Sequence, residues 1–164
     1  MEALIAVSVA RLQKEDYTEA QRAAALGVIF GVDNQLVRDG TYLLAEVDGL
    51  LVGCGAWSQR NNRFGSDNVP GKDDGMLNPA NDAARIRGFF IHPDWSRRGI
   101  GSAILRECEV RAVAAGYRRA ELTATLTGIA LYLAHNYTID SRYEIPMAGG
   151  VPLPVAPMSK SLIP

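Results

Sequence analysis

Apolar and polar positions change period several times along the 164-residue chain. Residues 2–12 are apolar without strict alternation, which predicts a short helix, with a first β-strand as the alternative. From Glu15 to about Phe30 the pattern is helical. Asp16 and Thr18 are both cap residues there, and Ala20, Ala24, Leu26 and Val28 are the core candidates. Asp33 can cap one further turn through Val37, which Asp39-Gly40 ends. The period then drops to two. Residues 41–47 and 50–57 flank Asp48-Gly49, a strong hairpin signal. Gly53 and Gly55 weaken the second strand or mark a bulge or close packing.

Residues 58–82 lose all periodicity and are dominated by Ser, Gln, Arg, Asn, Gly, Asp and Pro. A functional loop and a solvated insertion are equally open readings of so long a polar stretch. Residues 84–91, with Ile86, Phe89, Phe90 and Ile91, predict a strand stopped by His92-Pro93. Residues 99–115 predict a helix whose inner face carries Ile104, Leu105, Cys108, Ala112 and Ala115, with Gly116 just past its end. A strand over 119–124 completes a unit of right-handed βαβ size. Residues 128–135 predict a short helix ended by a left-handed Asn136. Residues 137–145 and 151–162 read as two antiparallel strands around Met147-Ala148-Gly149-Gly150. Pro152, Pro154 and Pro157 suggest that the last strand is irregular or at an edge. The expected class is therefore α/β of the α+β kind: a mixed, mostly antiparallel sheet flanked by helices, in one domain over residues 1–164.

Composition narrows the field. An apolar share of 48%, a charged share of 21% and a net charge of −1 describe an ordinary globular chain. They offer no general attraction to nucleic acid or to anionic membranes. Cys54 and Cys108 have no metal-ligand spacing and read as buried, reduced thiols, and His92 and His135 have no Cys or His neighbour, so no metal site is expected. The N-terminus has no basic region, and Arg11 and Lys14 interrupt its apolar stretch, which reads as a cytoplasmic protein.

The sharpest local feature is Ile91-His92-Pro93-Asp94-Trp95-Ser96-Arg97-Arg98-Gly99-Ile100-Gly101-Ser102. A strand stops, a polar turn follows, and two glycines open a helix. Such a helix start presents free N–H groups and the positive end of the dipole, a seat for a pyrophosphate, and Arg97 and Arg98 add charge of the right sign. Arg98-Gly99-Ile100-Gly101 after this strand resembles motif A of the GNAT superfamily of N-acetyltransferases, whose pattern is Gln/Arg-x-x-Gly-x-Gly/Ala. Ser96 stands where that family usually has Gln or Arg. Leu126-Thr127-Gly128-Ile129-Ala130-Leu131-Tyr132, followed by Asn136-Tyr137, is similar to the family's second stretch, with Asn136 in place of a glycine. The likeness runs in order from residue 41 to 162. The family's usual opening strand is missing or is segment 2–12. If it is missing, a partner chain could cover the open sheet edge, as in a homodimer.

The resemblance implies acetyl-CoA as co-substrate, without a metal, held by Ser96, Arg97, Arg98, Gly99, Ile100, Gly101 and Ser102, with Phe89, Phe90 and Ile91 along the thioester. The acetyl carbonyl would rest on strand amides near Phe90 and Ile91. Tyr132 matches the tyrosine that protonates the departing thiolate, and from the residues alone a buried packing role is open to it as well. Acceptors would be amines of small molecules or peptides. Glu46, Asp82, Glu121 and His92 are the base candidates, none singled out. Arg85 and Arg87 hint at an acidic acceptor or at simple exposure, and Trp57 is a pocket or core residue. A non-catalytic acyl-CoA-binding module is the alternative function. A nucleotide-binding domain is weaker, since no Lys-Ser/Thr follows the glycines.

Overall fold

The structure, a computed structural model, describes residues 1–163. Helix α1 spans Glu2–Leu12, so the opening segment is a helix and not a strand. Leu4, Ile5 and Val9 form its buried stripe. Helix α2 is short, Glu19–Ala25, because Thr18 takes the cap: its hydroxyl accepts from Gln21 N while Gln21 Oε1 accepts from Thr18 N, a capping box. The chain then leaves the helix at Leu26. Of the expected core residues Ala24 and Val28 pack against the core, whereas Ala20 and Leu26 are exposed, and the fully buried residues of this region are Tyr17, Ala25 and Phe30. Asp33 caps α3, Asn34–Arg38.

The hairpin forms as expected. β1 (Tyr42–Val47) and β2 (Leu50–Ser58) pair antiparallel about Asp48 and Gly49, both at positive φ, the geometry of a primed turn. β3 (Ala84–Ile91) pairs antiparallel with β2, and β4 (Arg119–Thr125) runs parallel to β3. The crossover is α4, Ile100–Ala114. It buries Ile104, Leu105, Cys108 and Ala112, whereas Ala115 is an exposed cap residue outside the stripe. A 3-10 turn leads into α5, Ile129–Ala134, which stops at a left-handed Asn136.

The C-terminal region departs from expectation. Residues 137–145 form two short strands, β5 (Thr138–Ile139) and β6 (Tyr143–Pro146), and both pair with β7 (Pro152–Ser161). β7 is not an edge strand. It lies inside the sheet, with β4 on one side and β5 and β6 on the other, in the order β1-β2-β3-β4-β7-β5. Its prolines sit where no partner needs an amide. Pro152 and Pro154 lie beyond the Thr125–Val155 pair that ends the β4 ladder, and Pro157 faces the step between β5 and β6.

Both faces of the sheet are covered. On one face α4 and α5 enclose Trp57, Ile86, Leu122, Tyr137 and Met158. Here Gly53 and Gly55 let the sheet meet α4 closely: a Cβ on Gly55 would lie 2.7 Å from Ile104 Cγ2. On the other face α1 and the segment after α2 cover Cys54, Phe90, Leu153 and Val155. Burial of this apolar surface is the main stabilising term.

Candidate active site

The turn after β3 is held at both ends. His92 Nδ1 accepts a hydrogen bond from Asp94 N at 3.3 Å, and Arg11 on α1 pairs with Asp94 at 2.8 Å, holding that carboxyl below its ordinary value. His92 thus has a turn-forming role. Arg97 (φ 62°) and Gly99 (φ 83°) are left-handed while Arg98 between them is not. This alternation converges successive N–H groups into an anion-binding concavity. The Arg98 guanidinium lies 4.7 Å over the Trp95 ring, a cation–π contact that keeps it beside the turn. Gly99 is the N-cap of α4, and no side chain caps this end. The first-turn amides, Ile100 to Ser102, therefore lack a side-chain partner. Ser102 Oγ lies 2.9 Å from His135 Nε2, so this hydroxyl ties the start of α4 to the end of α5.

Beside this helix start the sheet opens. β3 and β4 pair only from Ala84–Ala120 to Ile86–Leu122, after which β4 continues along β7 without β3. A bulge in β3 marks the parting: Arg87 pairs with Ala56 and Phe90 with Cys54, which leaves Gly88 and Phe89 over. Gly88 has φ 70°, and a Cβ there would come within 2.9 Å of the Tyr42 hydroxyl. The buried Cys54 thiol, pushed up to about 11 by burial, donates to Gly88 O at 3.4 Å. Its burial and engagement fit a structural group rather than a nucleophile. His92 N donates to Val52 O, so strand alternation turns the Ile91 amide away from β2, toward the opening.

The opening leads to a narrow cavity of about 80 Å³ between sheet and loops, which Phe30, Phe64, Phe89, Phe90, Tyr42 and Tyr132 help line. Tyr132, brought in by α5, packs edge-on against Phe89 (6.1 Å between centroids) and Tyr137 (5.8 Å). Burial raises the pKa of the Tyr132 hydroxyl, and the Cys108 thiol adds to the rise, so it stays protonated at neutral pH. Sequence expectation thus assembles into two neighbouring groups. Ser96, Arg97 and Arg98 form the turn before α4, Gly99 is its N-cap, and Ile100, Gly101 and Ser102 are its first residues; Phe89, Phe90 and Tyr132 line the cavity, and Ile91 ends β3.

Other expectations change. Trp57 belongs to the core, edge-on to Tyr117, and does not reach the cavity. Arg85 and Arg87 are neither exposed nor free. Arg85 pairs with Glu121, and Arg87 pairs with Asp33 at 2.8 Å while donating to the carbonyls of Asn62 and Gly65. Asp33, 2% exposed, also accepts from Lys72 Nζ at 2.6 Å and caps α3. Arg60 grips Asp39 and the carbonyl of Asp74. The polar stretch 58–82 is therefore a wall of the cavity latched by ion pairs. Asp33 and Lys72 were not legible as parts of the site, because they meet across 39 positions, and Gln13 was not, because only the fold brings the end of α1 to the cavity. Among the base candidates, Glu46 is exposed, Asp82 accepts from Asn78 N, and Glu121 is engaged by Arg85. No carboxylate lines the inner cavity among the described residues.

Comparison with known proteins gives a consistent picture. A family model described as "Acetyltransferase (GNAT) family" matches residues 6–137. No curated protein sequence matches the chain. Among solved structures, a GCN5-related N-acetyltransferase from Rhodopseudomonas palustris is 20% identical, with a TM-score of 0.69 over 98% of this chain and 86% of the other. PaiA N-acetyltransferase from Thermoplasma acidophilum, solved with coenzyme A, is 16% identical, with a TM-score of 0.61 over 98% and 91%. A ribosomal-protein-alanine N-acetyltransferase from Brucella melitensis is 17% identical, with a TM-score of 0.58 over 97% and 92%. These likenesses establish the fold.

Proposed function

Given that the chain belongs to the GNAT family of acetyltransferases, we propose that it transfers the acetyl group of acetyl-CoA directly to a primary amine of a small molecule or peptide. The observation that carries this reading is the union of an uncapped helix start with a parted sheet: the helix that opens with the bare amides of Ile100–Ser102 packs at Gly101 against Ile91, the end of β3 past the point where β3 leaves β4. Coenzyme A bound to the PaiA relative supports the choice of co-substrate. In this reading residues 1–164 act as one domain in the cytoplasm. The pyrophosphate rests on the amides of α4, where the dipole favours negative charge. Arg97 and Arg98 add to that charge, and the thioester runs into the opening. The outward Ile91 amide polarises the acetyl carbonyl, a preorganised donor aimed at developing charge.

The acceptor nitrogen attacks the carbonyl carbon, the C–S bond breaks, and coenzyme A leaves as a thiolate. The Tyr132 hydroxyl donates a hydrogen bond to that sulfur. Its raised pKa makes complete proton transfer to a thiolate, whose own pKa is near ~8.5, uphill, so solvent completes the protonation. Two protons leave the nitrogen, both to water: one before attack, since an alkyl ammonium near pKa ~10.4 must be deprotonated to attack, and one from the attacking nitrogen as the amide forms. Acetyl-CoA turnover against a panel of amines tests the reading. Tyr132→Phe is expected to lower kcat about 10- to 100-fold without adding a pH-dependence below pH ~9. Full activity in that variant removes Tyr132 from the reaction.

A second reading, a non-catalytic acyl-CoA-binding module, is favoured by the carboxylate-free inner cavity. It predicts binding of coenzyme A with no transfer to any amine. The open edge of β1, with Leu44 exposed, suits a second copy of the chain, which light scattering would reveal as a dimer.

A further inference from the structure

The inner cavity carries two unsatisfied polar features that the transfer itself does not use. Gln13, just past the end of α1, is 5% exposed and lines the cavity, and its Oε1 is buried with no hydrogen-bond partner among the described residues. A buried acceptor left unpaired is costly, on the order of 1–3 kcal/mol. A ligand that donates an N–H to it removes that cost. The second feature is Arg63. It lines the inner cavity and also the larger outer pocket of about 390 Å³, which Glu121, Thr123, Asp140 and Tyr143 help line. The two spaces share only Arg63 and Thr123, so Arg63 stands at the throat between them.

Arg63 differs from the other cations built into the loop wall and β3. Arg85 is held by Glu121, Arg87 by Asp33 and two loop carbonyls, Arg60 by Asp39, and Lys72 by Asp33 and Asp67. Arg63 makes no ion pair or side-chain hydrogen bond among the described residues, and it is exposed toward the pockets it lines. The carboxylates of the outer pocket do not neutralise it: Glu121 faces Arg85, and Asp140 accepts from Ser159 Oγ. A planar, permanently charged fork in this position suits a carboxylate, which it can hold with two parallel hydrogen bonds.

Building on the acetyl-transfer reading, we infer that the acceptor is a free α-amino acid: Gln13 Oε1 takes a hydrogen bond from its amine, Arg63 holds its α-carboxylate at the throat, and its side chain lies in the outer pocket. The spacing follows from the acceptor's own chemistry. In an α-amino acid the amine and carboxylate share one carbon, so a nitrogen in the inner cavity puts the carboxylate at the first widening, where Arg63 stands. The side chain leaves from the same carbon and has only the outer pocket to enter. Gln13 and Arg63 are positioning residues, for they act on the acceptor's orientation and not on the bonds that change.

Matched pairs separate this inference from the reading it rests on. Phenylalanine and 2-phenylethylamine, histidine and histamine, and lysine and cadaverine differ within each pair only by the carboxylate. Binding of each is measured by NMR titration to the protein saturated with coenzyme A, and transfer is measured from acetyl-CoA. The acids are expected to bind and react at least tenfold better than their decarboxylated partners, and Arg63→Gln to bring the ratio close to one while the Kd for acetyl-CoA stays the same. Gln13→Met is expected to raise KM for every amine without lowering the melting temperature, an outcome that a merely structural glutamine would not give. Amines that match or exceed their parent acids in the wild type, or an unchanged ratio in Arg63→Gln, overturn the inference even if acetyl transfer is demonstrated. A carboxylate preference in binding without transfer supports the inference and defeats the catalytic reading. A protein that binds no coenzyme A defeats both.

Discussion

The two walls of the proposed site are built on different principles. The wall around the start of α4 is local. One run of residues, from Pro93 to Ser102, supplies a tight turn, two left-handed positions and an uncapped helix end, and backbone amides do the work. The wall formed by residues 58–82 is non-local. Its order comes from Asp33, Asp39, Arg60, Lys72 and Arg87, whose partners are drawn from α3, β3 and the loop itself. A backbone seat recognises a feature common to every coenzyme A molecule, and side-chain ion pairs can vary without touching it. The difference accounts for how one fold keeps its co-substrate while its acceptors differ.

The comparison breaks first, and most severely, at Asp33. Asp33→Ala leaves the buried Arg87 without its counter-charge and the half-buried Lys72 with only Asp67 and Asp74, and removing one partner from a buried pair costs about 3–5 kcal/mol. Denaturant unfolding should show a loss of that size. If ligand-free stability changes by less than 1 kcal/mol, the loop wall is not held as described. On the other wall, Gly99→Val forces a β-branched residue into φ 83° at the N-cap of α4. Strain of about 1–3 kcal/mol and a displaced cradle should weaken acetyl-CoA binding about 10- to 100-fold in calorimetry, with a smaller effect on the fold. Equal losses of stability and affinity would mean that the glycine serves folding alone.

The smallest effect concerns pH. Asp39's carboxyl is held below its ordinary value chiefly by the hydrogen bond from Arg60. A carboxylate depressed in the folded state stabilises the fold above its unfolded pKa, near 3.8, and that contribution fades as pH falls through the lower folded value. Arg60→Gln should therefore lower the melting temperature by a few degrees more at pH 7 than at pH 2, where only its bond to the Asp74 carbonyl is lost. A constant difference at both values would assign the loss to packing instead of the ion pair.

The same division governs what the sequence made legible. The Asp48-Gly49 hairpin, the buried stripe of α4, the left-handed Asn136 and the glycine turn at residues 96–102 were all readable, since each is written within a few consecutive residues. β7 was misplaced because its prolines read as an edge signal. They are tolerated inside the sheet only because β4 ends at the Val155 pair and β5 and β6 leave a step, facts that belong to other strands. α2 was overextended because its apolar residues continue past Ala25, where the chain turns at Leu26 and Gly27. Arg85 and Arg87 alternate along β3 as exposed residues would. Their burial depends on Glu121, 36 positions away from Arg85, and on Asp33, neither of which local pattern could pair with them.

Amide hydrogen exchange, followed residue by residue with and without acetyl-CoA, tests the central claim most directly. If the open helix start receives the pyrophosphate and the parted strands receive the thioester, exchange should slow selectively at Arg98 to Ser102 and at Ile91, with the amides of residues 66–75 little changed. Protection confined to other segments, or no protection anywhere at saturating acetyl-CoA, would contradict it.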